Sequence, residues 1–497
     1  MISLGTSGTA RNATAAIAED DRLVAVCPQE RVTRFRGAGV NDTGLPDEAV
    51  ELLLSRRGLA RADVSRVVRV SPAPGDSHAE AGVVSRARAQ ACAAFFTSGL
   101  PRAAVMVCHA DEPAVSVWRG DGGTVEHAWT WPGAGFTDVL VRLAGLFGSA
   151  TGAERRLEAL ARLKPGARDS LADRLLALSE GVLRVDEPAF SAVSERLAAE
   201  RNPAGPDHVH LAASMQSRFA DLVEEALAVV RHRTGLPAVC LAGRPFFSSA
   251  INSRVREGGT FEDVFIPVDP GPHGLAVGAL LDMVGQPPVR VSPFLGPAYS
   301  PEETKSVLDN CKLQYSWETE EGAARAAIES LRAGRLVGWF DGAMEWGPRS
   351  LGARCILADA TTPYVLENLN HFLKGREPWR GYALSCLAER VHDHFKGPAQ
   401  APFMECDYRP AEPSRLKHVL PSPASAVRVQ TVAAGAAPAK FRALLEAYEH
   451  TTGVPFLVNT SFNGFHEPIV CSPRDAVRVF FGSGLDMLVI NQFVLRK

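Results

Sequence analysis

The sequence predicts an α/β protein built as two domains, and three observations carry that prediction. At 497 residues the chain exceeds the ~250–300 residues at which a single core stops growing. Short apolar runs of strand length alternate with longer segments of helical period along the chain. The stretch VGQPPVRVSPFLGPAYSP (284–301) breaks the alternation with five prolines, which divides the chain into units 1–285 and 286–497.

Residues 2–7, 13–18 and 22–27 are apolar runs separated by Gly8, Asn12 and Glu19-Asp20-Asp21, the spacing of strands joined by tight hairpins. After Pro46, DEAVELLLSRRGL has apolar residues at helical spacing and an acidic first turn, hence an amphipathic helix. A strand VSRVVRVS, a helix over 79–96 and a strand over 103–110 follow. Residues 137–235 read as mostly helical, through DVLVRLAGLFG, SLADRLLALSEGVL and SMQSRFADLVEEALAVVRHRTG. A strand at 238–243 leads into a turn and another helix. The second unit opens with helices at 301–310 and in EGAARAAIESLRAG, continues with a buried strand from Leu336 to Phe340, and alternates strand and helix to its end.

Composition excludes several classes of function. Hydrophobic residues at 46% and charged residues at 22% describe a globular chain and not a disordered one. With 53 Lys+Arg against 56 Asp+Glu, no global field draws in nucleic acid or anionic lipid. The N-terminus lacks a signal-peptide pattern, and no run of ~18 apolar residues predicts a membrane span. Nine scattered cysteines without a C-x-x-C pair argue for buried free thiols in the cytoplasm.

Four clusters carry the chemistry. In GWFDGAMEWGPRSLGARCILAD (338–359) a strand runs into a glycine-rich loop bearing Arg349 and Arg354. Glycines let backbone N–H groups approach an anion, and arginines supply planar forks for phosphate. LKGREPWRG adds Lys374, Arg376 and Arg380 beside Glu377 and Trp379, a compact positive patch able to hold polyphosphate and stack on a base. Lys374 is one of only 8 lysines, so its placement is informative. VRVQTV puts Arg428 and Gln430 on one face of a strand, and LVNTSFNG ends a strand in Asn459, Thr460, Ser461 and Asn463. Each cluster also has a plain reading, as a glycine turn, a solvated basic loop or a set of turn formers. Together they offer cations and amides without a nucleophile–base pair. That combination points to phosphate-ester chemistry by positioning and charge neutralisation.

GAMEWGPRSLGARCILAD, KGREPWRG, VRVQTV and VPFLVNTSFNGFHEPIVCSPRDAV resemble the C-terminal half of the nodulation- and antibiotic-type O-carbamoyltransferases. The resemblance extends through FLGPAYSPEET, HLAASMQ, LAGRPFFSSAINSRVREGGTFEDVFIPV and PQERVTRFRG, so it covers essentially the whole chain. It implies an N-terminal domain of the actin/sugar-kinase-like (ASKHA) fold and a YrdC-like C-terminal domain. The latter makes carbamoyl adenylate from ATP, with its Mg²⁺, and carbamoyl phosphate. The former passes the carbamoyl group to a hydroxyl of a small-molecule natural product or oligosaccharide. Carried over by position, Arg349, Lys374, Arg376 and Arg428 are the expected catalytic residues. Arg354, Arg380, Asn459, Ser461 and Asn463, with Arg11 and Asn12, are the expected nucleotide and substrate contacts. A homo-oligomer or a pathway partner is compatible with this reading.

The chain departs from the family pattern at Ala343 and Gly381, and more heavily in its first domain. Arg11 and Asn12 stand where the family has a His-Asp pair, and Asn is no general base. The His-x-x-x-His metal pair aligns with Arg86 and Gln90; an alternative offers His78, with Pro74 four residues earlier. The two acidic ligands become His109, with Asp111 nearby, and Pro272, with His273 adjacent, while a phosphate-cradling Gly-Gly becomes Gly243-Arg244. A relocated site from His78, His109, Asp111 and His273 matches no standard ligand spacing, so no resident metal is expected. Arg11, Arg86 and Arg244 would then hold anionic groups. His392 and His394 read as a helix or turn surface, and His208 and His210 as the start of the long helix. The alternative function is a degenerate or repurposed homologue that forms an adenylate for a partner or acts as a scaffold.

Overall fold

Strands of small and β-branched residues pair early in the chain. In a computed structural model, which describes residues 1–71, 82–109, 114–132, 135–148, 152–179, 182–435 and 438–497, the strands Ile2–Ser7, Thr14–Glu19 and Arg22–Pro28 form an antiparallel meander. Val64–Val70 then adds parallel to the first strand, and Val83–Val84 extends that edge. The spatial order is third, second, first, fourth, fifth. Arg102–Cys108, Ala114–Asp121 and Thr124–Pro132 repeat the meander, with Ala238–Gly243 and Asp263–Phe265 added in parallel on the far side of its first strand. Two sheets of one topology make the first unit a duplicated α/β fold of the actin/sugar-kinase-like type.

Three local expectations need correction. The helix expected over 79–96 runs Arg86–Phe96, because the Ser85 hydroxyl accepts the N–H of Arg88 and fixes the first turn there; residues 79–81 lie outside the described part. Among its described residues SLADRLLALSEGVL is helical only over Ser170–Leu175. Leu176–Ser179 then pairs antiparallel with Val182–Val185, which buries Leu176 and Leu183 against the helical layer. The hairpin of Ala114–Asp121 and Thr124–Pro132 was not anticipated, although Gly122, at a φ of 54°, marks its turn. The cysteines are free and buried as expected, except Cys311, which is exposed.

Alternation along the strands builds the layers. In Arg102–Cys108, Ala104, Met106 and Cys108 face a helical layer that includes Phe136–Gly145, Ala153–Ala161 and Pro206–Thr234. Ala103, Val105 and Val107 face the opposite way, into a core shared with the first sheet and the helices Arg86–Phe96 and Gly274–Val284. In the second unit a ten-stranded mixed sheet runs from Ser316 to Arg496, with helices Glu320–Arg332 and Ala439–Thr452 on one face. Pro301–Asn310 and Pro473–Phe481 cover the other. Trp346 and Leu351 of the second unit sit in the core of the first, so the units share apolar packing. Among the described residues no helix is long and apolar enough to cross a membrane.

Helix Gly274–Val284 reaches its place only because two glycines allow it. A Cβ on Gly5 would lie 2.6 Å from the Ala276 carbonyl oxygen, and one on Gly278 would lie 1.8 Å from that of Ala89. Gly278→Ala should therefore destabilise the protein by about 1–3 kcal/mol or more through overpacking, read as a lower denaturant midpoint with unchanged slope. An unchanged midpoint would show that the two helices can move apart freely.

Candidate active site

The helix Ala153–Ala161 carries Arg155 and Glu158, with Arg162 capping its end. Spacings of three and four residues place all of them on one helical face. That face meets the strand Val427–Val432 of the second unit. Arg428 donates Nε to Ser249 Oγ (3.0 Å) and Nη2 to both Glu158 carboxylate oxygens (3.2 Å each). Arg162 donates to Asp407 Oδ1 and Oδ2 (3.0 and 3.1 Å), to Glu158 Oε1 (2.7 Å) and to Ser249 Oγ (2.7 Å). The sequence reading missed Arg155, Glu158, Arg162, Ser249 and Asp407. Its available signal was the R-x-x-E-x-x-x-R spacing, charged where a helix packs inward.

Arg349, Arg376 and Arg380 complete the cluster from the second unit. Arg349 donates Nη2 to the Phe247 carbonyl across the seam (3.1 Å), and Arg380 stands 3.5 Å from Glu377. Among the described residues Arg155, Arg349 and Arg376 form no ion pair with a carboxylate. Burial, Arg428 and Arg155 together push the Arg349 guanidinium well below its ordinary range. Arg155 is lowered by its enclosure and by Arg36, Arg376, Arg380 and Arg428. Its side chain is nonetheless exposed, the behaviour of a residue that lines a cleft. Burial alone would raise the Glu158 carboxyl, but Arg162, Arg428 and Arg349 outweigh it and hold the group down at about 2. The seam thus concentrates more cations than its carboxylates can match.

The loop that bears Arg349 is fixed from inside. Glu345, fully buried, accepts the N–H groups of Leu351, Ala353 and Arg354 on Oε1 at 2.7, 2.8 and 3.2 Å. Asn459 pairs with Ser350 at both its side-chain oxygen (2.9 Å) and its amide (3.2 Å, to the carbonyl). Gln430 donates to the Leu351 carbonyl (2.7 Å) and accepts from Ser385 (2.7 Å). Asn459 and Gln430 are therefore braces beneath the loop. Arg354 is likewise internal: it donates to the carbonyls of Asp341, Ala353 and Pro297 and lies 3.6 Å over the Phe340 ring.

Lys374 also differs from a cation projecting at a phosphate. Its Nζ donates to the Ser461 carbonyl (2.6 Å), the Asn463 carbonyl (3.2 Å) and Asn463 Oδ1 (2.7 Å), and burial with Arg376 nearby pushes it well below the usual ammonium range. Lys374, Ser461 and Asn463 form one bonded unit, with Ser461 donating to Asn463 Oδ1 (2.8 Å). Trp379, expected to be free for a base, packs against the helical layer of the first unit with the Arg156 guanidinium 6.0 Å over its ring.

Arg11 is exposed, and Asn12 sits at a φ of 56°, a left-handed conformation that Asn tolerates, with its N–H on the Gly37 carbonyl (3.0 Å). The residues aligned with the family's metal ligands do not suit a metal. The Gln90 amide donates to the Pro270 carbonyl (2.9 Å), His109 Nε2 bonds Ser116 Oγ (2.8 Å), Arg86 is a cation and Pro272 has no side-chain donor atom. His78 and Asp111 lie outside the described residues. Among the described residues no three His, Cys, Asp or Glu side chains gather as a metal-holding group. Arg244 pairs with Glu154 (2.8 Å). His208 meets the Phe147 ring edge-on, His210 is 3.4 Å from Asp169, and His392 and His394 lie in the short helix Val391–His394.

The family described as Carbamoyltransferase C-terminus matches residues 328–497, and Carbamoyltransferase N-terminus matches residues 182–281. An uncharacterised protein of Synechocystis sp. is 30% identical over 466 residues, covering 82% of this chain and 75% of that protein. Nodulation protein NolO of Bradyrhizobium diazoefficiens is 33% identical over 313 residues, which is 59% of this chain and 56% of that protein. The chain thus spans little more than half of that nodulation relative. The activator of 2-hydroxyisocaproyl-CoA dehydratase from Clostridium difficile, solved with bound ADPNP, superposes loosely over 57% of this chain and 96% of its own, at 16% identity and a TM-score of 0.39. With both halves of the family matched and a relative aligned along most of its length, the chain belongs to the carbamoyltransferase family.

Proposed function

We propose that the chain makes carbamoyl adenylate from ATP and carbamoyl phosphate at the arginine seam, then transfers the carbamoyl group to a hydroxyl of a small-molecule acceptor. In this reading residues 286–497 form the adenylate and residues 1–285 receive the acceptor. The observation that carries it is the excess of guanidinium groups at the seam: among the described residues Arg155, Arg349 and Arg376 form no ion pair with a carboxylate, in a cleft already crowded by Arg380 and Arg428. Clustered like charges raise the free energy of the empty site, and a polyphosphate offsets that cost while accepting planar bidentate bonds. Arginine stays protonated through the reaction, so phosphate charge is neutralised without a proton transfer. ATP, with the Mg²⁺ it carries, supplies the adenylyl group. Lys374 acts by holding the Ser461–Asn463 turn, and Asn459 and Gln430 by holding the Arg349 loop. The misfit of the expected metal positions favours a second reading, in which the adenylate is formed for a partner protein; product formation from wild-type protein alone removes it.

Two measurements check the seam. Arg349→Ala should lose ATP–pyrophosphate exchange, with carbamoyl phosphate present, by about 30- to 1000-fold, the equivalent of ~2–4 kcal/mol for a charged phosphate partner. Wild-type exchange in that variant would remove Arg349 from the reaction.

Glu158→Gln leaves Arg428 without its buried counter-charge and Arg162 with Asp407 alone, and should lower stability by about 3–5 kcal/mol in the absence of ligand. Added pyrophosphate should then raise the Tm of this variant more than that of wild type, since it replaces the missing charge. The folded carboxyl lies near 2 and the unfolded one near 4.5, so the Glu158 contribution is complete above the higher value and lost as pH falls toward the lower. The stability gap between wild type and variant should accordingly be flat from neutral pH to about 5 and close only below that. Equal pyrophosphate shifts in both proteins would contradict an anion seat at the seam.

A further inference from the structure

A second polar cluster lies on the other side of Gly347, two residues before Arg349. Arg31 donates Nη2 to the Gly347 carbonyl (2.8 Å), and a Cβ on Gly347 would come within 2.7 Å of Val268, so this loop rests directly on the Val268–Asp269 turn. Thr14, Glu30, Arg31, Asp269 and His273 converge there from a strand, a short helix, that turn and the residue preceding helix Gly274–Val284. Thr14 Oγ1 and His273 Nδ1 are 2.9 Å apart. The other ring nitrogen, Nε2, makes no hydrogen bond among the described residues.

Three further atoms of the cluster lack partners among the described residues. Arg31 is 1% exposed with Nε and Nη1 unpartnered, and Glu30, 3.7 Å from Nε, is beyond hydrogen-bond reach. Asp269 is 1% exposed; its Oδ1 accepts the Gly271 N–H (2.7 Å), while Oδ2 is unpartnered. Buried polar atoms without partners are rare, a few per hundred residues. Donors on Arg31 and an acceptor on Asp269, both unmatched beside a histidine with a free nitrogen, describe a seat for a polar group that donates and accepts. Neighbouring hydroxyls have that character.

We propose that His273 is the catalytic base for the acceptor in this chain, and that the acceptor is a diol-bearing molecule held by Arg31 and Asp269. The proposal rests on the carbamoyl-adenylate reading. With Nδ1–H donating to Thr14 Oγ1, Nε2 keeps its lone pair. The acceptor O–H proton passes to Nε2 as its oxygen bonds the carbamoyl carbon. The bond from that carbon to the phosphate oxygen breaks, and its electron pair leaves on AMP. His273 returns the proton to solvent, and the products are a carbamate ester and AMP. Thr14 is a positioning residue that fixes the ring and its tautomer.

Glycerol serves as the acceptor probe, with ATP–pyrophosphate exchange followed in parallel. His273→Ala should lower carbamoylglycerol formation by about 100-fold or more while exchange continues, and added imidazole should restore part of the transfer. Thr14→Val should slow transfer, and Thr14→Ser should restore it. Transfer at the wild-type rate by His273→Ala overturns the proposal, as does transfer in wild type that a chelator abolishes and zinc or iron restores. Loss of exchange together with transfer in His273→Ala, without rescue by imidazole, would show a structural role and also overturn it. Wild-type protein that exchanges pyrophosphate yet carbamoylates no glycerol overturns this proposal and leaves the adenylate reading intact. Wild-type protein without exchange overturns both.

Discussion

The structure depends on one buried carboxylate. Glu345 gathers the backbone N–H groups of Leu351, Ala353 and Arg354, so the glycine-rich loop folds around a single oxygen. A carboxylate in that position makes charge-assisted bonds, stronger than those of a neutral acceptor. The adjoining Arg354 fork closes the same loop against Asp341 and Pro297, the latter in the segment that joins the two units. Fixed in this way, the loop can insert Trp346 and Leu351 into the core of the first unit without losing its shape. The position of Arg349 follows from that anchoring.

Around the anchored loop the charges divide into those with partners and those without. Asp407 and Glu158 belong to different units, yet both converge on Arg162, and Ser249 links that guanidinium to Arg428. The network cross-links the units by charged hydrogen bonds and leaves Arg155, Arg349 and Arg376 as the surplus among the described residues. A site built for an anion has this imbalance, because a fully matched network leaves no electrostatic gain for a ligand. The braces below it are neutral: Asn459, Gln430 and Ser385 exchange amide and hydroxyl bonds and add no charge to the cleft.

The same loop separates the arginine seam from the Thr14–His273 cluster. Its glycine at position 347 brings the second unit onto Val268, and its arginine two residues later reaches the Phe247 carbonyl. Helix Gly274–Val284, pressed between Gly5 and Ala89, sets where His273 stands just before its first turn. Two chemical environments are therefore positioned by one short segment and one tightly packed helix. Neither can shift without moving the other's supports.

Much of this was legible in the sequence. Local periodicity located the first three strands and the helices Pro301–Asn310 and Glu320–Arg332, because those signals depend on neighbours a few residues away. It failed at Leu176–Val185, where a helical pattern yields to a short hairpin that buries Leu176 and Leu183. The motif arginines were visible as residue types, but not which of them would stay unpaired. Composition and spacing by themselves determined the α/β class and the four clusters of cations and amides. Only the tertiary structure decided that Arg354 and Lys374 turn inward, that Arg349 and Arg376 remain unmatched, and that His273 meets Thr14. Partners such as Glu158 and Arg428, 270 residues apart, or Thr14 and His273, 259 apart, are chosen by packing across the fold, and no local pattern encodes that choice.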